Sequence, residues 1–121
     1  MSVLFQISTC SASRSADSLQ KLPHRDYVLS IRHEDTQDEL HFRRVEALRV
    51  THYRACTTAM ISSYDRVTDL GQTPWLVEVH QQLQQAKEPV EGLRHIMLYL
   101  DDGPCYEFIC HDFSAKTNKV A

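Results

Sequence analysis

The chain is predicted to fold as an α+β domain, with an antiparallel sheet of four to five strands and two helices packed on one face. Three observations carry this. Residues 27–33, 40–53 and 94–113 show apolar patterning of the strand type. Between them the period lengthens to that of helices, once from Thr57 and again from Thr73. The runs are segregated, strands first, then helices, then strands, without an internal repeat or a composition break.

Val3 to Ile7 has the makings of an edge strand. Residues 8–22 are dominated by Ser, Ala and polar groups, with little to bury, and read as a loop or mobile arm. Tyr27, Leu29 and Ile31 alternate with Val28, Ser30 and Arg32, the pattern of a half-buried strand. Glu34–Asp38 supplies a polar turn. In the following run Leu40 and Phe42 share one parity, Val45 and Ala47 the other, and Leu48 and Val50 the first again. That slip predicts a bulge or bend near Arg43–Val45, dividing one long strand in two.

Met60, Ile61, Tyr64 and Val67 fall on one helical stripe, with Thr57 or Thr58 as cap and Gly71 beyond the end. The second helix is better marked. Thr73 is an N-cap, Pro74 suits the first helical position, and Leu76, Val79, Leu83 and Ala86 form the buried stripe. Pro89 and Gly92 stop it. The segment Leu93–Phe113 then reads as a hairpin around Asp101-Asp-Gly-Pro104, and residues 114–121 as a frayed tail.

With 121 residues the chain makes a single domain, 1–121, large enough for a core without metals or disulfides. A net charge of −3 offers no strong field for nucleic acid. No apolar run approaches the roughly 20 residues of a spanning helix. Met1–Ile7 has no basic region, so no secretory signal is read there, and the expectation is a cytoplasmic protein. Cys10, Cys56, Cys105 and Cys110 contain no Cys-x-x-Cys and are expected as free thiols.

If Leu100 faces Cys105, the hairpin pairs Tyr99 with Tyr106, Met97 with Phe108 and His95 with Cys110 on one face. Leu98/Glu107, Ile96/Ile109 and Arg94/His111 then fall on the other. Both faces are apolar, so one should meet the helices. The other needs the N-terminal segment, a second subunit or a partner to cover it.

Glu107 is the exceptional residue, a carboxylate within an apolar run. It reads either as a general base with a raised pKa or, with the greater weight, as one half of an ion pair. Arg94, Arg43, Arg44 and Arg49 are the candidate partners. His95 and Cys110 have the right types for zinc or for a Cys–His nucleophile. Neither assembly has its further groups in the sequence, and a buried cysteine beside a satisfied histidine weighs more. Asp101, Asp102 and Asp112 lack the spacing of a calcium loop. No metal and no cofactor is expected. Three glycines leave no phosphate-cradling loop, and there is no Gly-x-Ser-x-Gly elbow.

Tyr64-Asp-Arg-Val, then Trp75-Leu, then His95-x-Met-x-Tyr-Leu-Asp-Asp-Gly-Pro-Cys-Tyr-Glu-Phe-Ile resembles a class of small uncharacterised bacterial proteins. Some of that class act as immunity partners of bacterial toxins. The likeness runs over roughly residues 40–113. It implies Tyr64, Asp65, Trp75, Asp101, Tyr106 and Glu107 as signature positions, holding a helix–hairpin junction together, and it implies no catalytic residue.

The functional expectation is a non-enzymatic protein-binding factor of toxin-neutralising or accessory type. Its binding positions are Asp101, Asp102, Tyr106 and Glu107. A protein partner is expected, with self-association as a second possibility and with neither nucleic acid nor membrane as target. The alternative is a small enzyme or ligand-binding module using Glu107, His95 and Cys110.

Overall fold

The computed structural model describes residues 2–7, 16–32, 35–61, 65–100 and 104–119. Seven strands form one antiparallel sheet: β1 (Ser2–Gln6), β2 (Ala16–Lys21), β3 (Tyr27–Arg32), β4 (Thr36–Thr51), β5 (Arg66–Asp69), β6 (Arg94–Tyr99) and β7 (Cys105–Lys119). Their order across the sheet is β1-β5-β6-β7-β4-β3-β2. The helices are short: α1 (Thr58–Ile61) and α2 (Pro74–Gln85), with single 3₁₀ turns at Pro23–Arg25 and Tyr53–Ala55. The expectation of four to five strands is therefore corrected to a mostly β architecture with seven.

The two long strands β4 and β7 organise the fold. They pair from Thr36↔Lys119 to Thr51↔Cys105, with a bulge between Val45 and Ala47. Arg44 has φ +50°, in the left-handed region, and its N–H donates to Asp26 Oδ1 at 2.9 Å. At this line the inward parity changes on both strands, from Phe42 to Val45 and from Phe113 to Cys110. The bulge gives both strands a sharp bend. The slip near Arg43–Val45 thus marks a real irregularity, but β4 runs through it as one strand of 16 residues.

The bend folds the sheet onto itself. Phe42 of one half stacks on Phe108 of the other, with ring centroids 3.7 Å apart. Tyr106 of β7 donates its hydroxyl to Asp17 Oδ2 of β2 at 2.7 Å, although β4 and β3 lie between those strands in the sheet. The core is the space between the layers. Leu29, Ile31, Leu40 and Phe42 fill it from one side, and Val67, Ile96, Leu98 and Phe108 from the other. So the inner apolar face of the β6–β7 hairpin is covered by the sheet's own second half, β4, β3 and β2, with Leu4 and Phe5 of β1 packed against the same core.

The outer face of the β6–β7 half carries both helices. Leu76 and Val79 of α2 pack with Ile109, and Met60 of α1 packs with Met97, Tyr99 and Cys105. Buried His111 anchors the connection ahead of β6, with Nδ1 donating to Glu91 O and Nε2 meeting Glu46 Oε2, each at 2.8 Å.

Other expectations need correction. Within 8–22, residues 16–21 form β2, paired throughout with β3. Of Asp17–Lys21 only Leu19 is apolar and packed inward, so backbone pairing rather than side-chain pattern makes the strand. Thr36–Asp38, expected in a turn, already belongs to β4. Of the helix expected from Thr57 the described part is Thr58–Ile61, and Val67 lies instead in β5 opposite Leu98. Asp65, at φ +51°, is a conformation no helix continues through. Tyr64 is outside the described residues. The tail expected from 114 is strand up to Lys119.

The hairpin register differs by one residue from the expected one. Tyr99 faces Cys105, Leu98 faces Tyr106 and Met97 faces Glu107. Leu100 donates its N–H to Pro104 O at 3.2 Å. Proline lacks an N–H but keeps its carbonyl, so Pro104 enters the ladder as an acceptor. A shift of one exchanges faces. Glu107 thereby joins His95, Met97 and Ile109 on the helix-covered side.

Candidate functional site

Where β4, β7 and β6 meet the start of α2, five side chains converge on Glu107. The register alone places Arg49 directly opposite Glu107 on one flank and Met97 on the other. His95 pairs with Ile109 and so stands diagonally across from Glu107 on the same face. Thr73 and Trp75 come from the first turn of α2. Pro74 starts that helix, and Thr73 Oγ1 caps it by accepting from Leu76 N–H at 3.2 Å.

Every oxygen of Glu107 is engaged. Arg49 grips it with Nε to Oε2 and Nη2 to Oε1, both at 2.8 Å. His95 Nε2 reaches Oε1 at 2.9 Å, and His95 Nδ1 lies 2.7 Å from Thr73 Oγ1. The ionised Glu107 can only accept, so His95 Nε2–H donates to it. Trp75 covers the group, edge-on to His95 at 5.1 Å and beneath the Arg49 guanidinium at 4.4 Å.

The electrostatics follow from this geometry. Glu107 is 2% exposed and His95 3%, whereas the Arg49 side chain is 48% exposed. Burial pushes the Glu107 carboxyl up, but the hydrogen bonds from His95 and Arg49 and the charge of Arg49 outweigh it and hold it at about 2. The Glu107 hydrogen bond in turn raises Arg49. Burial pushes the Cys105 thiol up to about 12, with the Glu107 charge adding to it. A carboxylate held this low is a poor proton acceptor at neutral pH, since a general base works best near the ambient pH.

Of the expected binding positions, Asp101 and Asp102 fall outside the described residues. Tyr106 faces inward and is buried, its hydroxyl spent on Asp17. Burial and that hydrogen bond raise its pKa. The expected His95/Cys110 neighbours are not together. Cys110 pairs with Arg94 and belongs to the inner core, on the face opposite His95. Burial pushes its thiol up to about 12. Arg94 is likewise on the wrong face for Glu107. Arg49, named among the candidate partners, is the one in contact.

The part that Thr73 and Trp75 play was missed from the sequence, though both carried a signal. A capping Thr and a Trp flanking Pro74 put a hydroxyl and a broad ring at one helix start. Thr73→Val is expected to cost about 1–2 kcal/mol, because both the cap and the His95 contact go. Urea unfolding measures this, with Thr73→Ser as the control that stays near wild type. An unchanged valine variant would mean the hydroxyl holds neither group.

A cavity of about 310 Å³ lies elsewhere, lined by Gln72, Val77, His80, Gln81 and Gln84 on the outer side of α2. Among the described residues no three or more His, Cys, Asp and Glu side chains gather as a metal site. No helix among them is long and apolar enough to cross a membrane. Neither a family model, nor a curated protein, nor a solved structure matches the chain.

Proposed function

We propose that the chain works by binding another protein rather than by catalysis, as a toxin-neutralising or accessory factor. The observation that carries this is the state of Glu107. Both its oxygens are occupied, two bonds coming from Arg49 and one from His95, and it is buried and held at about 2. A site so fully satisfied contributes order and specificity of packing, and it leaves no free group to act on a substrate. The alternative built on Glu107, His95 and Cys110 loses its third member to the opposite face of the sheet.

The proposed contact surface centres on the acidic pair Asp101–Asp102, in the segment that joins β6 to β7 along the chain. Two adjacent carboxylates steer association with a basic partner. Tyr106 leaves the contact set, because its ring and hydroxyl are used inside the fold. The resemblance to immunity-type proteins gives the class of partner, a toxin domain with a basic surface.

The test begins with capture of the partner from the native cell, followed by calorimetry on the two purified proteins. Replacing both Asp101 and Asp102 with alanine should weaken the complex about tenfold, with most of the change in association rate and a flatter salt dependence. Affinity unchanged in the double variant would remove the acidic pair from the interface. Absence of any stoichiometric protein partner would overturn the reading as a whole.

A further inference from the structure

The sulfur-bearing side chains are unevenly distributed. Among the described residues these are Cys56, Met60, Met97, Cys105 and Cys110. All but Cys110 belong to one packed cluster, together with Tyr99 and Leu70, on the outer face beneath α1.

Their placement follows from the register. Cys105 faces Tyr99 on β6 and Thr51 on β4. Met97 lies one diagonal step from Cys105 on the same face. Cys56 Sγ sits 3.5 Å from Thr51 O and 3.5 Å from His52 O, above the very residue paired with Cys105. Met60 Sδ turns back to within 3.5 Å of Thr57 N, toward the segment that carries Cys56. The short helix and the residues before it thus pack two sulfur-bearing side chains against two of the sheet.

We propose that Cys56, Met60, Met97 and Cys105 form a binding site for a soft monovalent metal ion, Cu(I), for which Ag(I) is the redox-inert substitute. Thiolate and thioether together select Cu(I), whereas zinc is taken by sets of Cys, His and carboxylate, and hard ions by oxygen. Without the thioethers the donor set falls below three, consistent with the lack of any His, Cys, Asp and Glu cluster among the described residues.

Charge argues for a single positive charge. Cys105 is fully buried in this apolar cluster beneath α1. One thiolate with one monovalent cation is neutral, and so is the better occupant of an apolar setting. Binding moves one proton from the thiol to solvent and forms the metal–sulfur bonds, with no change of oxidation state. Cys56 and Met60 are only partly buried, which places the entrance at α1. This inference is independent of the protein-binding reading.

The test uses the full chain, reduced and kept anaerobic. Cu(I) is supplied as its coloured bicinchoninate complex, and loss of the colour reports transfer to the protein. One equivalent should transfer. Cys56→Ser should weaken binding about 100-fold and Met60→Leu about tenfold, the range in which loss of a ligand or its support is felt. Both positions are partly buried, so the metal-free thermal midpoints should stay close to wild type, and a control midpoint identifies any variant that does not fold. Ag(I) should raise the wild-type midpoint and leave that of Cys56→Ser unchanged, while Zn(II) should not compete. No transfer of Cu(I), transfer undiminished in Cys56→Ser, or displacement by Zn(II) would each overturn the site.

Discussion

Phe108→Ala is expected to lower the unfolding free energy by about 3–5 kcal/mol, read as a shift of the urea midpoint. Phe108 is fully buried on β7 between Ile96 of β6 and Leu48 of β4. Its ring bridges the two layers, stacked on Phe42 at 3.7 Å and 6.5 Å from Tyr27. Removing it opens a hole at the point where the folded sheet meets itself, and the surrounding strands cannot close it without loosening the bend. Phe113→Ala should cost less, because Phe113 is only partly buried at the edge of the same cluster. A loss below about 1 kcal/mol at Phe108 would mean the halves do not pack through these rings.

Arg49→Met is expected to cost about 3 kcal/mol, at the low end for a broken buried pair because the guanidinium side faces water. Methionine keeps the stem over Trp75, so the loss isolates the charge and hydrogen bonds. Glu107 would be left buried with His95 alone. The pH dependence gives a separate check. The carboxyl is held at about 2 against an ordinary value of 4.5, so its contribution is complete above about 4.5. It is lost as the pH falls from there through about 2. Thermal midpoints of the wild type should therefore decline across that acid range. Arg49→Met and Glu107→Gln should both decline less steeply. An identical acid limb in all three proteins would show that Glu107 does not carry it.

How much of this was legible in the sequence differs from element to element. The second helix was, because Thr73, Pro74 and the Leu76–Val79–Leu83 stripe are local signals that packing did not override. β3 was legible through the alternation of Leu29 and Ile31. The parity slip around Val45 revealed the bulge, but not that the sheet turns back on itself there. That depends on Phe42 meeting Phe108, a contact between positions far apart in the chain. β2 and the end of β7 were not legible, since Asp17–Lys21 and Lys116–Lys119 bury almost nothing and exist as strands by pairing with neighbours.

At the site, Glu107 stood out as a buried charge and Arg49 was among its candidate partners. The one-residue error in register cost the rest. It placed His95 beside Cys110 and Glu107 on the other face, when the reverse arrangement holds. The source was the premise that Leu100 faces Cys105; Leu100 instead donates to Pro104 O, which sets Tyr99 opposite Cys105.

The position of β7 has a consequence for synthesis. It is the last of the seven strands in the chain, yet it lies in the middle of the sheet, between β6 and β4. On a ribosome, β1 to β6 emerge before the strand that joins their two groups exists. Until then β3 and β4 can pair and β5 and β6 can pair, but each group presents an open edge to the other. Such edges invite pairing with neighbouring nascent chains, a hazard that grows when many ribosomes share one message. Assembly of the whole sheet waits for the final strand, which closes contacts across more than half the chain, a slow kind of closure. The same strand that makes the finished molecule one cooperative body makes its folding a late event.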